Sequence, residues 1–292
     1  MITNSVAMLQ KARAEHYAVP AFNVNNLEWG KELLRAAEKL QSPVILQVTG
    51  GAAQYMGSFR LAYDLLVDLH EAMHITVPVA IHLDHGNYHQ ALETIGVGFT
   101  SVMFDGAKLP LAENLAKTND LRTVTSQHQI SLEAEVGTIG GEEDGLIANG
   151  EIAAIPDAVQ MAQAGVDMLA VGIGNIHGQY PADWKGLNFA HLQKIDEAIF
   201  AATGKRLPLV LHGGSGIDDD QIRRAIELGI AKINVNTEGQ LAFHDGIRKY
   251  VLADKDLEGK NFDPRIFLTA GSDQLEAMCE DRIRVFGSAG KA

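Results

Sequence analysis

Cysteine is nearly absent: the 292-residue chain holds one, Cys279. A single thiol excludes an intrachain disulfide framework and any thiolate-rich zinc site, and it points to a reducing cytosol. A metal, if bound, must therefore be held by imidazoles and carboxylates. Basic residues are also scarce, with 24 Lys and Arg against 37 Asp and Glu and a formal net charge of -13. Nucleic acids and anionic membranes are bound largely through Lys and Arg, so this balance argues against both as partners. It does not argue against a phosphorylated small molecule, because a few backbone N–H groups and one cation hold a phosphate locally. No apolar run approaches the roughly 20 residues that a membrane helix needs. Met1 to Lys11 has no apolar core behind a basic region, so no secretory signal is expected. Low-complexity tracts are missing as well.

What remains is the balance of an ordinary globular protein, 46% hydrophobic and 21% charged. Short β-branched apolar runs alternate with longer amphipathic stretches. The predicted strands are Ala18–Val24, Val44–Thr49, Val79–His85, Ser101–Asp105, Ser131–Val136, Met168–Gly174, Leu209–Gly213 and Lys232–Thr237. Helical patterns lie between them, at Leu27–Leu40, Phe59–Met73, Pro156–Ala164, Phe189–Ala202 and Asp219–Leu228. About eight β-α units with no linker imply parallel strands covered by helices. The expected architecture is one (β/α)8 TIM barrel over residues 1–292 with an additional C-terminal helical segment; an open doubly wound sheet is the competitor. Two segments break the repeat. Gly137–Asn149 is glycine-rich and acidic without strand or helix period, the character of a functional or mobile loop. Asp254–Pro264 is polar and precedes a closing helix expected from Pro264 to Val285.

In such a barrel the site is built where strands end, so the residues there carry the chemistry. The third strand ends in His82-Leu83-Asp84-His85-Gly86, the sixth in Gly172-Ile173-Gly174-Asn175-Ile176-His177-Gly178, and the seventh in His212-Gly213-Gly214-Ser215-Gly216. His85, His177 and His212, each followed by glycine, can converge on the barrel axis as an open three-histidine zinc site. Adjacent strand residues point to opposite faces unless the strand ends between them. Asp84 is then free to act as an acid/base group beside substrate while His85 turns to the metal. His82, two residues before Asp84, is read as a supporting or core residue. Gly213 to Gly216 leads into a helix near Asp218 and can present amides to a phosphate, next to the polar Asn234-Val235-Asn236-Thr237 at the end of strand eight. Asp105 and Glu135 close strands four and five, where they would bind a second cation, orient the histidines or serve structure. No lysine ends a strand: Lys232 opens strand eight and Lys108 lies in a loop, so a Schiff base lacks its nucleophile.

Taken together, HLDHG, FDG, EAEVGTIGGEEDG, GIGNIHG, LHGGSG, NVNTE and FDPR, spread over almost the whole chain, closely resemble class II fructose-bisphosphate aldolases. The resemblance implies zinc on His85, His177 and His212, and a proton-transferring Asp84. It also implies a second metal site at Asp105 and Glu135, for a divalent or monovalent cation. Contacts to the dihydroxyacetone phosphate half fall on Gly178, Gly213, Gly214, Ser215, Asn234, Val235, Asn236 and Thr237. The loop glutamate that exchanges the proton beside the carbonyl maps onto Glu143, with Glu142 adjacent. Arg265 maps onto the ligand of the second phosphate, reaching into a neighbouring subunit of a homodimer or homotetramer. One departure concerns the aldehyde half, where Thr49, followed by Gly50-Gly51, stands in place of a frequent serine. Enzymes of the family acting on tagatose bisphosphate tend to have Ala where this chain has Asn236. Fructose 1,6-bisphosphate is therefore the expected substrate, with tagatose bisphosphate or a related phosphorylated or sulfonated ketose as the alternative.

Overall fold

The computed structural model of the chain describes residues 1–143 and 146–292, with the backbone alone for residues 142, 143 and 146–148. Parallel strands covered on both faces should be apolar almost throughout. Accordingly β1 (Val19–Asn23) and β2 (Val44–Val48) are buried at every position. They are followed by β3 (Val79–Gly86), β4 (Ser101–Phe104) and β5 (Ser131–Val136). Then come β6 (Gly140–Glu143), β7 (Leu146–Ala148), β8 (Met168–Val171), β9 (Ile176–His177), β10 (Leu209–Leu211) and β11 (Ile230–Val235). Eight of these close a parallel barrel in the order β1-β11-β10-β8-β5-β4-β3-β2, so the (β/α)8 expectation holds and the open sheet is excluded.

Helix starts follow the local chemistry. The Asn26 side chain accepts from the Trp29 N–H to cap Leu27–Lys39, and Asn87 with Gln90 forms a capping box for Tyr88–Val97. Thr49 closes no strand: β2 stops at Val48, and the Thr49 hydroxyl caps helix Gly50–Met56 by accepting from the Ala52 N–H. Strand eight is shifted in the same way, because Asn236 and Thr237 begin helix Thr237–Leu252 rather than extend β11.

The barrel interior has two layers. At its N-terminal end, helix Val6–Glu15 puts Met8, Leu9 and Ala12 against Val19, Ala21, Ile45, Ala80, Met168, Ala170 and Val210. Toward the other end the same inward parity carries polar side chains: Asn23, Gln47, His82, Asp84, Glu133, Glu135, His212, Lys232 and Asn234, all buried. The apolar layer closes one end and the polar layer leads to the mouth.

Two segments differ from expectation. Gly137–Asn149 contains β6 and β7, paired antiparallel, and β6 pairs parallel with β9, so Gly141 lies opposite His177. A strand period could not be read there because the segment opens glycine-rich and acidic, GTIGGEEDG, with no apolar alternation. The closing helix is two helices, Pro264–Phe267 and Thr269–Val285, joined at Leu268. Asp254–Pro264 includes a short 3-10 turn, Lys255–Leu257. Helix Thr269–Val285 buries Leu275, Cys279 and Ile283 in the outer core that separates helices from strands. Among the described residues no helix is long and apolar enough to cross a membrane.

Gly246 sets how closely helix Thr237–Leu252 approaches this last helix: a Cβ there would meet the Ala270 carbonyl oxygen at 2.2 Å. Both partners are backbone, so neither can rotate away. Gly246→Ala is expected to lower stability by about 1–3 kcal/mol, the usual cost of overpacking. A urea midpoint unchanged from the parent chain would show that the two helices separate freely.

Candidate active site

Asp84 and His85 both face the mouth, although neighbouring strand residues should diverge. The cause is local: His85 has φ 49°, in the left-handed region, and the β3–β4 register shifts between Leu83 and Gly86. That backbone costs roughly 1–2 kcal/mol for a residue with a Cβ. It turns the imidazole back beside the carboxylate, with His85 Nε2 3.9 Å from Asp84 Oδ1.

Amides hold Asp84. Asn23 Nδ2 donates to Oδ2 at 2.9 Å, Gln47 Nε2 to the same oxygen at 3.2 Å, and Asn234 Nδ2 to Oδ1 at 3.2 Å. Burial pushes this carboxyl up; the charges of His85, His212 and Lys232 and the Asn23 bond outweigh it and hold it below the usual range. Asn23 and Gln47 were not identified from the sequence. Their signal was present as one amide side chain interrupting an otherwise apolar strand, at a position that shares the inward face.

The three imidazoles come together. Ring centroids of His85 lie 4.8 Å from His177 and 4.6 Å from His212, and one ligand nitrogen from each ring lies within 4.8 Å of the others. His85 Nδ1 is 2.9 Å from Asp105 Oδ2, and His212 Nε2 is 2.9 Å from Glu133 Oε1. The remaining nitrogens, His85 Nε2 and His212 Nδ1, face each other at 2.8 Å. Burial lowers His85, but Asp84, the Asp105 bond and Glu135 raise it more, to about 10. Burial and then the His85 charge push His177 down to about 3, and the same causes carry His212 well below its ordinary value. Two rings thus keep open lone pairs beside a third that anions surround.

Asp105 and Glu135 separate in their surroundings. Asp105 is bonded to His85, and although burial would raise it, that bond and charge bring it down to about 2. Glu135 is buried among acidic groups: burial first, then the Asp105 charge, pushes its carboxyl well up. Its Oε2 is buried with no partner among the described residues. Both carboxylates line a cavity of about 490 Å³ together with His85, His177, Gly50 and Gly51. Thr49 is not part of that lining, since it is buried with its hydroxyl engaged in the helix cap.

On the other side of Asp84 a narrow cleft is lined by Gly178, Gly213, Ser215, Asn234, Asn236 and Thr237, together with Asn23, Asp84 and His177. Val235 is buried within β11. The glycine-rich loop spends part of its amide supply internally: Gly214 N–H donates to the Asn234 carbonyl, and Gly216 N–H to the Glu238 carboxyl. Those of Gly213 and Ser215 make no bond among the described residues. Gly213, at φ 64°, has no room for a side chain, because a Cβ would sit 2.0 Å from the Ile176 carbonyl oxygen. Its glycine brings the His212 loop against β9, which carries His177. Gly141 does the same from the other side, its Cβ position lying 2.0 Å from the His177 carbonyl oxygen.

Arg265 is 87% exposed, pairs with its near neighbour Asp263 and lines a separate groove on the C-terminal helices. Glu143 and Glu142 have their backbone in β6, and their side chains lie outside the described residues. Lys232, expected to open its strand, is the third residue of β11, and its ammonium sits inside the barrel 2.7 Å from Glu133 Oε2. It lines neither cavity and is no free amine for a Schiff base.

A family model described as fructose-bisphosphate aldolase class-II matches residues 3–291. A fructose-bisphosphate aldolase of Streptococcus pyogenes is 53% identical over all of this chain and 99% of its own length. That of Mycoplasma pneumoniae is 47% identical over the whole of both chains. Among solved structures, a putative fructose-1,6-biphosphate aldolase from Coccidioides immitis matches with TM-score 0.86 and 28% identity, covering 99% of this chain and 98% of its own. The YdjI aldolase from Escherichia coli K12 matches with TM-score 0.83 and 29% identity over the full length of both chains.

The amides around Asp84 generate a direct expectation. Asn23→Ala removes one donor to Asp84 and also the acceptor of the Gln47 amide, 2.7 Å away. Leaving buried polar groups unsatisfied costs about 1–3 kcal/mol. Denaturant unfolding of this variant should show a loss of that size; a variant as stable as the parent would mean that Asp84 is held by its other partners alone.

Proposed function

Because the chain belongs to the class II fructose-bisphosphate aldolase family, we propose that it reversibly cleaves fructose 1,6-bisphosphate to dihydroxyacetone phosphate and glyceraldehyde 3-phosphate at the barrel mouth. The observation that carries this reading is the meeting of His85, His177 and His212 beside a carboxylate fixed by amides. The donor set fits zinc: three neutral-capable imidazoles, with His85 and His212 each engaging a carboxylate through the nitrogen that faces away from the shared position. When bound, the ion supplies Lewis-acid polarisation of the ketose carbonyl, worth several kcal/mol.

The chain's own groups do the rest. Asp84 takes the proton of the C4 hydroxyl as the C3–C4 bond breaks, and its amide partners keep the carboxylate aimed while it waits for that proton. The electron pair of the broken bond stays on the C3 half. Glu143 returns a proton to C3 from the β6–β7 hairpin, which β9 ties to His177. The Gly213 and Ser215 amides, with Gly178, Asn234, Asn236 and Thr237 around the cleft, take the phosphate of the dihydroxyacetone half. Glu135, with an unpartnered buried oxygen beside Asp105, offers a place for a second cation, divalent or monovalent.

Arg265 opens onto a groove apart from the site, so in this reading it meets the second phosphate from a second copy, in a homodimer or homotetramer. A second substrate reading has one observation in its favour: the Thr49 hydroxyl is spent on a helix cap, so Gly50 and Gly51 face the aldehyde side. That leaves room for tagatose bisphosphate or another phosphorylated or sulfonated ketose, and a comparison of kcat/KM on these sugars separates them.

A chelator should abolish cleavage, zinc should restore it, and borohydride with substrate should leave the enzyme active. Inactivation by borohydride with indifference to chelator would replace this mechanism by a Schiff base. Asp84→Ala should retain zinc and lose about 10²–10⁴-fold in kcat, the usual contribution of a positioned acid or base. Normal turnover would remove Asp84 from the reaction. Arg265→Ala should raise KM for fructose 1,6-bisphosphate roughly tenfold or more, as expected for loss of a charge-assisted bond of about 1.5–3 kcal/mol. An unchanged KM would place the second phosphate elsewhere.

A further inference from the structure

Glu133 and Lys232 lie inside the barrel, fully buried, and take no part in the steps above. Glu133 shares the inward face of β5 with Glu135, one step deeper along the axis. Its two oxygens have different partners: Oε1 is 2.9 Å from His212 Nε2 and Oε2 is 2.7 Å from Lys232 Nζ. Among the described residues, the other side-chain atom within hydrogen-bond distance of His212 Nε2 is Asn234 Nδ2 at 3.4 Å, itself a donor. A carboxylate paired with an ammonium can only accept, so His212 must carry its proton on Nε2. Its Nδ1 lone pair is then the one that faces His85 Nε2.

We propose that Glu133 is the positioning residue of His212, fixing which ring nitrogen is offered to the metal, and that Lys232 anchors Glu133 for this task. The inference rests on the reading of His85, His177 and His212 as a metal site. Two further observations support it. First, the anchor is itself tied down. Lys232 Nζ lies 3.4 Å from His82 Nε2, and His82 Nδ1 lies 2.7 Å from Ser101 Oγ. Ser101 Oγ is 3.4 Å from Ser5 Oγ, just before the helix that closes the barrel floor. A hydrogen-bonded column thus runs from His212 down to the closed end. Second, a buried Glu–Lys pair is a poor device for stability alone, since well-packed apolar residues commonly replace such pairs at no cost. Its geometry makes sense if the carboxylate is needed at His212, as Asp105 is at His85.

The test separates a positioning role from a packing role. Single variants would strand a buried charge, so the charges are removed in pairs. Glu133→Leu with Lys232→Met deletes the acceptor; Glu133→Gln with Lys232→Met keeps a carbonyl acceptor without the charge. Zinc affinity is measured by chelator competition, and ligand geometry by the visible absorption of the cobalt(II)-loaded protein. The Leu/Met pair is expected to lose about 10–100-fold in zinc affinity and to change the cobalt spectrum. The Gln/Met pair is expected to recover most of both. A folded Leu/Met protein with the parent's affinity and spectrum would overturn the proposal. Nitrogen-15 spectra of zinc-free parent protein supply a readout that needs no variant: His212 should be protonated at Nε2, and an Nδ1–H ring would equally overturn it. Failure of the parent protein to bind zinc would defeat the metal-site reading instead, while the zinc-free spectra still decide what Glu133 does.

Discussion

A charged side chain inside a closed parallel barrel has no water to solvate it, so it survives only by pairing with a side chain from another strand. That constraint organises the upper half of this molecule. Asp84 of β3 is met by Asn23 of β1, Gln47 of β2 and Asn234 of β11; Glu133 of β5 by Lys232 of β11 and by His212 after β10. Each bond crosses between different strands, several of them distant in sequence. The polar layer is therefore a network spanning the barrel, and its bonds hold Asp84 and His212 in one arrangement. Such preorganisation is where electrostatic catalysis gains most, because nothing has to reorient during the reaction.

The lower half makes this possible. Small side chains at Ala21, Ala80 and Ala170 leave space for Met8 and Leu9 of the first helix, which closes the axis with apolar contacts. Water is kept from the polar layer at that end, and the mouth is left as the route for substrate. The division of the interior also explains why Asp84, Glu133, Glu135 and Lys232 lie in the same half of the barrel.

At the mouth, the backbone does what regular strands cannot. His85 in a left-handed conformation places two successive side chains on one side, and Gly213 and Gly141 let backbone carbonyls of the His177 segment approach within distances no Cβ would allow. The β6–β7 hairpin, whose backbone includes Glu143, is attached to β9 by main-chain pairing, so it shares one small sheet with His177. Geometry of this kind depends on single residues, which makes it sharp in its requirements and almost silent in hydrophobic periodicity.

The sequence alone determined the eight-fold alternation, because strands buried on both faces and amphipathic helices leave opposite periodicities in the chain. It also determined which histidines end strands and which carboxylate stands beside one, since strand ends are marked by glycine and polar residues. Asn23, Gln47 and Glu133 were harder to read: one polar residue in an apolar strand names a face but not a partner. Thr49 and Arg265 carry plausible chemistry in the sequence, and only the fold put the hydroxyl of the first in a helix cap and the second in an exposed groove on the C-terminal helices. Partners are chosen across the barrel by strand order and register, which no local pattern encodes. Only closure of the sheet decided that β11 would set Lys232 against Glu133 and Asn234 against Asp84, and that His212 and His85 would meet nitrogen to nitrogen.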